Sequence, residues 1–215
     1  MKNRLLLLFV ITIISCVIRD DNPSTSLGEI NSEVIENSNQ VYFEKKTCKC
    51  PMANPGDSSI INGTTYTVVN NSTIANQIAD GNVNLCTTLV TDMSSMFLYA
   101  RSFNQGIGFW DVSNVTNMDV MFFGASKFNK EIGDWNTSKV TQMLSLFMDA
   151  SAFNQDIGNW DTSNVSEMTS MFRGASSFNQ NLSNWCVINI FTEPNSFAFN
   201  SAMKKVNKPI WGDCP

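Results

Sequence analysis

The residues of this chain that could do chemistry are its six cysteines and its carboxylates, because the sequence contains no histidine. Without an imidazole, no Ser-His-Asp or Cys-His pair can activate a nucleophile. Cys48 and Cys50 lie close together, but no second close pair accompanies them, so a zinc site is not expected. Paired carboxylates can hydrolyse glycosides, which leaves a glycan-acting enzyme as one alternative. We expect a protein that is not an enzyme and has no catalytic residues, cofactor or metal site.

The cysteines favour disulfides if the chain is exported. Cys186 and Cys214 bracket the last segment, and pairing them would close a loop of about 28 residues, worth on the order of 3 kcal/mol. Cys86 can pair with either Cys48 or Cys50, which leaves one thiol over.

The N-terminus predicts export. Residues 1–15 have a charged start, an apolar run too short to span a membrane, and an end at Ile13-Ile14-Ser15-Cys16. This end resembles a bacterial lipobox, which implies cleavage before Cys16 and lipid on that cysteine; the alternative is an ordinary cleaved signal peptide. Asp20 and Asp21 weakly resemble the surface-export signal of Bacteroidota lipoproteins. Residues 16–40 are polar and predict a flexible tether.

Residues 91–190 are four copies of one 25-residue unit without insertions or deletions. A fixed short period is typical of units that stack on one another. In the first copy, Met93, Met96, Phe97 and Ala100 fall at i, i+3, i+4 and i+7, which predicts a short helix. The segment Phe103 to Ile107 and the piece that ends each repeat favour extended structure.

The fold class that follows is an α/β repeat solenoid with short parallel strands and one short helix per coil. Asn62-Gly63 lies between β-rich runs and predicts a hairpin, and Ile74 to Ala79 predict a short helix. Residues 41–90 are therefore expected to form an N-terminal cap. Residues 191–215 break the period and are expected to cap the other end.

Two columns of side chains recur in the repeats. The tryptophans are Trp110, Trp135, Trp160 and Trp185, and the asparagines are Asn104, Asn129, Asn154 and Asn179. An exposed tryptophan row would be a stacking platform for sugars, whereas a buried row would only pack the repeats. The asparagines favour a ladder of side chains bonded to backbone groups.

Charge excludes one class of partner. The formal net charge is −5 and no basic patch is evident, which argues against nucleic-acid binding. The position after each tryptophan holds Asp111, Asn136, Asp161 and Cys186. Because carboxylates do not recur there, a calcium ladder is not expected.

The repeat Met-x-x-Met-Phe-x-x-Ala-x-x-Phe-Asn-Gln-x-Ile-x-x-Trp-Asp-x-Ser-Asn-Val-Thr closely resembles that of BspA-type leucine-rich-repeat surface proteins, also abundant in mycoplasma lipoproteins. The resemblance covers residues 85–190, and the segment from Cys186 to Pro215 looks like the C-terminal end of flavobacterial members. It implies a leucine-rich-repeat-like solenoid with roles in adhesion. With four repeats, any binding face is small.

These observations predict a lipid-anchored protein of the bacterial outer membrane, displayed on the cell surface through Cys16, that binds other macromolecules. The expected partner is an extracellular protein or a glycan. The alternative is a polysaccharide-binding accessory lipoprotein that uses the edge formed by Trp110, Trp135, Trp160, Trp185 and the asparagines.

Overall fold

The computed structural model describes residues 41–215. The predicted signal segment (1–15), the tether (16–40) and Cys16 lie outside the described residues. The regular elements are β1 (Tyr42–Glu44), β2 (Thr47–Lys49), β3 (Ser58–Ile61), β4 (Thr64–Asn70), α1 (Ile74–Ala79), β5 (Leu85–Leu89) and a 3-10 helix (Lys205–Asn207).

Residues 41–90 contain two hairpins and one parallel crossover. β1 pairs antiparallel with β2, and β3 pairs antiparallel with β4 around a turn at Asn62 and Gly63. Both turn residues have positive φ, 51° and 78°, which tight two-residue hairpin turns require. α1 occupies the residues for which the sequence predicts a helix and leads to β5, which is parallel to β4.

Successive repeats are joined by main-chain hydrogen bonds between alternate residues. In the first repeat, Met93, Ser95, Phe97 and Tyr99 donate to the carbonyl oxygens of Asn117, Asp119, Met121 and Phe123 at 2.7 to 3.0 Å. The same four bonds recur one period later between the second and third repeats, and again between the third and fourth. We call this segment of each repeat, residues 91–100 and their equivalents, the turn ladder.

The helix predicted over Met93–Ala100 is wrong. The N–H groups of Met96, Leu98 and Ala100 donate to carbonyls three residues back, and Ser95 and Tyr99 have positive φ. The segment is therefore a succession of turns, because the neighbouring repeat takes the N–H groups that an α-helix would need.

The parallel strands predicted within the repeats are reduced to single-residue bridges in the part of the chain that the structure describes. These bridges link Asp92, Asn117, Gln142 and Glu167 in order. The hydrogen bonds that join the repeats are carried mainly by the turn ladder.

The core consists of aromatic columns that run through the stack. In the first column, Phe97, Phe122, Phe147 and Phe172 are stacked with successive ring centroids 5.3, 5.5 and 5.7 Å apart. In the second, Phe103, Phe128, Phe153 and Phe178 follow at 5.7, 5.9 and 5.6 Å. Each repeat thus buries its rings against the rings of its neighbours, which ties the stability of one repeat to the next.

Residues 191–213 form a fifth coil, where the sequence predicts only a cap. Ser170, Phe172 and Gly174 of the fourth repeat donate to the carbonyls of Asn195, Phe197 and Phe199. Positive φ recurs at Ser196 and Asn200, one residue later than the 25-residue period places it. The ring of Trp211 packs edge-on against Phe197, with centroids 4.9 Å apart, and covers the end of the core.

Candidate binding surface

The tryptophan column is not a ligand platform, which corrects the edge considered from the sequence. Trp110, Trp135, Trp160 and Trp185 are all buried, with at most 4% of the side chain exposed. Their Nε1–H groups donate to the carbonyls of Val83, Ile107, Ile132 and Ile157, in order, at 3.0 to 3.3 Å. The indole rings are buried and their N–H groups are already hydrogen-bonded, so the ring faces are not accessible to a sugar.

The asparagine column forms the ladder that the sequence predicts. The Oδ1 atoms of Asn104, Asn129 and Asn154 each accept the N–H of the next asparagine at 3.0 Å. The fourth, Asn179, accepts the N–H of Lys204 in the fifth coil. These amides therefore hold neighbouring coils together.

The structure pairs Cys50 with Cys86 and Cys186 with Cys214. The first pair resolves the choice for Cys86 that the sequence left open, and the second is the pair that the sequence favoured. Cys48 keeps a buried thiol. Burial, and then the charge of Asp111, raise the pKa of this thiol to about 12, so the thiol is protonated at neutral pH.

Sequence reasoning missed a junction between the N-terminal part and the first repeat. The Lys49 ammonium lies 2.9 Å from Oδ1 of Asp111, whose side chain is 2% exposed. The same oxygen accepts hydrogen bonds from the N–H and Oγ of Ser113. Burial acts to raise the pKa of Asp111, but the bonds from Ser113 and Lys49 outweigh it and hold that pKa below its ordinary value. No spacing in the sequence signals this pair, because its partners are brought together only by the fold.

One pocket in residues 41–215 is an open groove of about 870 Å³ on the side of the stack. We call it the lateral groove. Its lining is as follows: Lys46, Gly106, Gly108, Phe109, Asn129, Lys130, Glu131, Ile132, Gly133, Asp134, Gln155, Asp156 and Asn159. Successive repeats thus contribute equivalent positions to one surface, with one lysine from the N-terminal part.

Glycines in the groove lining allow neighbouring repeats to approach closely. A Cβ added to Gly108 would lie 2.5 Å from the carbonyl oxygen of Glu131, and the equivalent Gly133 is as tightly packed against Asp156. Charged side chains stand on its walls, where Lys46 forms an exposed ion pair with Asp134 at 2.9 Å. Such a surface offers hydrogen-bonding groups and charges of both signs to a ligand.

One known protein family matches the chain, and the matched residues include the repeats. A family described as "Mycoplasma protein of unknown function, DUF285" matches residues 65–185 and again residues 91–210. The chain belongs to this family. The two matches are offset by about one repeat, and the second extends into the fifth coil. No curated protein and no solved structure matches the chain.

Two further features bear on the site. No helix in the described part of the chain is long and apolar enough to cross a membrane. Residues 41–215 also contain no group of three or more histidine, cysteine or acidic residues placed to hold a metal ion.

Proposed function

We propose that this member of the DUF285 family is a lipid-anchored cell-surface repeat protein that binds other macromolecules and catalyses no reaction. The repeat motif and its resemblance to BspA-type proteins support a leucine-rich-repeat-like solenoid with an adhesive role. The lipobox-like sequence that ends at Cys16 supports an anchor in the outer membrane.

The observation that carries the binding function is the contrast between the core and the lateral groove. Phenylalanine recurs unchanged at the core position of Phe97, Phe122, Phe147 and Phe172. In the groove, by contrast, equivalent positions differ: Gly106 is followed by Glu131 and Asp156, and Phe109 by Asp134 and Asn159. Repeat proteins bind along extended surfaces of this kind, on which each repeat adds a distinct side chain to a common scaffold.

The groove suits a polar ligand rather than an apolar one. Its walls carry Glu131, Asp134, Asp156, Lys46 and Lys130, which discriminate partners by charge complementarity. The tryptophans cannot bind a polysaccharide by stacking, because their rings are buried. A glycan therefore remains a ligand class only through the groove.

The test is a binding screen of the chain carrying Cys16→Ser, which removes the lipid site, against a glycan array and a panel of extracellular proteins. Asp134→Lys combined with Asp156→Lys reverses two charges on the groove wall. We expect this variant's affinity for the ligand to change about tenfold, or by about 1.4 kcal/mol, falling for a cationic ligand and rising for an anionic one.

Asp80→Lys combined with Asp213→Lys is the matched control, because it makes the same two charge reversals at exposed residues outside the groove. It should bind as the unmodified protein does. Equal binding by all three proteins would show that the site lies outside the groove. If the unmodified protein bound nothing in either panel, the proposed function would be contradicted.

A further inference from the structure

The turn ladder gives the stack a polarity. Tyr99 donates to Phe123, Gly124 to Met148, Asp149 to Arg173 and Gly174 to Phe199, at 2.7 to 2.9 Å. These bonds join successive peptide groups head to tail, from the Leu98 carbonyl to the Asn200 N–H. Parallel series run through Ser95 and Phe97. As in a helix, aligned peptide dipoles leave partial negative charge at the carbonyl end and partial positive charge at the N–H end.

Both ends of these series lack partners within residues 41–215. The carbonyls of Ser94, Met96 and Leu98 accept no hydrogen bond at the first repeat. The N–H groups of Ser196, Ala198 and Asn200 donate none at the fifth coil. The two edges therefore present three acceptors and three donors, each set at a spacing of two residues.

The polarity of these edges selects the partner. The edge of an ordinary β-strand presents both N–H and C=O groups, so half of its groups would be mismatched against a row of donors. The complement of the donor edge is a row of carbonyls at the same spacing, and the first repeat of another copy of this chain carries that row.

We propose that copies of this protein associate head to tail, with the N–H groups of Ser196, Ala198 and Asn200 of one copy bonded to the carbonyls of Ser94, Met96 and Leu98 of the next. This self-association goes beyond binding at the lateral groove and uses neither its residues nor its ligand.

Apolar side chains flank both edges. Leu98 is 39% exposed and Phe199 is 56% exposed, and they end the same outer column of the stack. In the fourth repeat, Arg173 holds the position of this column next to Phe199, and its guanidinium lies 6.0 Å from the centre of the Phe199 ring. In the associated state, Phe199 of one copy packs against Leu98 of the next.

The contact is confined to the turn-ladder edge. α1 stands beside the acceptor edge, where Ser94 and Met96 line an open pocket of about 380 Å³ together with Ala75, and β3 lies at the far side of the sheet from β5. The donor edge of the next copy must therefore enter beside α1 to reach these carbonyls, and so narrow a contact predicts weak association. Since the two surfaces differ, the contact is heterologous and produces open chains rather than closed dimers.

Sedimentation velocity of the Cys16→Ser chain, up to about 1 mM, tests this association in the range expected of a small contact. We expect the weight-average mass to rise with concentration to at least twice the monomer value. Leu98→Asp blocks the acceptor edge and Phe199→Asp blocks the donor edge, so each variant alone should stay monomeric.

An equimolar mixture of the two variants decides the geometry. The free donor edge of Leu98→Asp can bind the free acceptor edge of Phe199→Asp, so the mixture should form heterodimers and nothing larger. Ile60→Asp, at an exposed position of β3, should associate as the unmodified chain does.

Three outcomes would overturn the proposal. The first is a chain that stays monomeric at every concentration. The second is a mixture that stays monomeric, and the third is loss of association in Ile60→Asp, which would place the contact on β3.

Discussion

Phe147→Ala tests the register of the whole stack, because this ring lies at the centre of the aromatic core. Its side chain is fully buried, and its centroid lies 4.0 Å from that of Phe153. Phe122 and Phe172 stack on its two faces at 5.5 and 5.7 Å. The substitution therefore removes contacts with both neighbouring repeats at once.

The expected loss can be worked from the buried area. A buried phenylalanine removes about 150–250 Å² from water, which at about 25 cal/mol per Å² is worth roughly 4–6 kcal/mol. Alanine retains part of that area, but the space left between two rigid rings adds a cavity cost. We expect a loss of about 3–5 kcal/mol in the free energy of unfolding.

Urea denaturation followed by tryptophan fluorescence measures this loss. Phe191→Ala is the matched control, because it makes the same change at a side chain that is 80% exposed, and it should cost no more than about 0.5 kcal/mol. Since repeats are stabilised by their neighbours, Phe147→Ala should also separate the transition into two steps. If the two variants were equally stable, the register assigned to every repeat would be wrong.

Four further outcomes are expected. Cys214→Ser should lower the free energy of unfolding by about 3 kcal/mol, and mass mapping of the unreduced protein should recover the Cys186–Cys214 linked peptides; free thiols at both positions would contradict the pair. Because the folded-state pKa of Asp111 lies below its ordinary value of 3.8, its stabilising contribution is present above that pH and lost as the pH falls through the lower folded-state value. The free energy of unfolding should therefore fall less steeply with decreasing pH in Asp111→Asn than in the unmodified protein. Identical pH profiles would argue against a stabilising Lys49–Asp111 pair. Gly108→Ala should destabilise the stack by roughly 1–3 kcal/mol through overpacking, unlike Gly106→Ala, whose Cβ would meet open space. A fatty-acid probe should label the unmodified protein but not Cys16→Ser, and equal labelling of both would exclude the anchor.

The sequence predicts the positions of the core well because they recur without slippage. Met93 and Phe97 are buried as expected, as are their counterparts in later repeats. The backbone that carries them was mistaken for a helix, since apolar residues at i, i+3 and i+4 face one side in a turn ladder as well. Only the bonds between repeats distinguish the two conformations, and those bonds are not visible in a single repeat.

The fifth coil was missed for a different reason. Phe197 keeps the 25-residue spacing from Phe172, but the turn residues Ser196 and Asn200 come 26 residues after Ser170 and Gly174, so the rest of the repeat motif is lost. Backbone hydrogen bonding tolerates this shift because it depends on carbonyl positions and not on side-chain identity. The Lys49–Asp111 pair could not be predicted, since its members are far apart in sequence and Lys49 lies outside the repeats.

The two disulfides have a mechanical consequence for a stack whose coils are bonded to one another along its length. Cys50–Cys86 spans 36 positions and Cys186–Cys214 spans 28. When the chain is pulled from its ends, tension crosses each bridge through the sulfur atoms and bypasses the residues between. The extensible length is therefore the segment between Cys86 and Cys186, whose coils peel away one after another at similar force, because each is held by the same few bonds. Reduction would remove this protection, so that the fifth coil and the segment between Cys50 and Cys86 could also be extended.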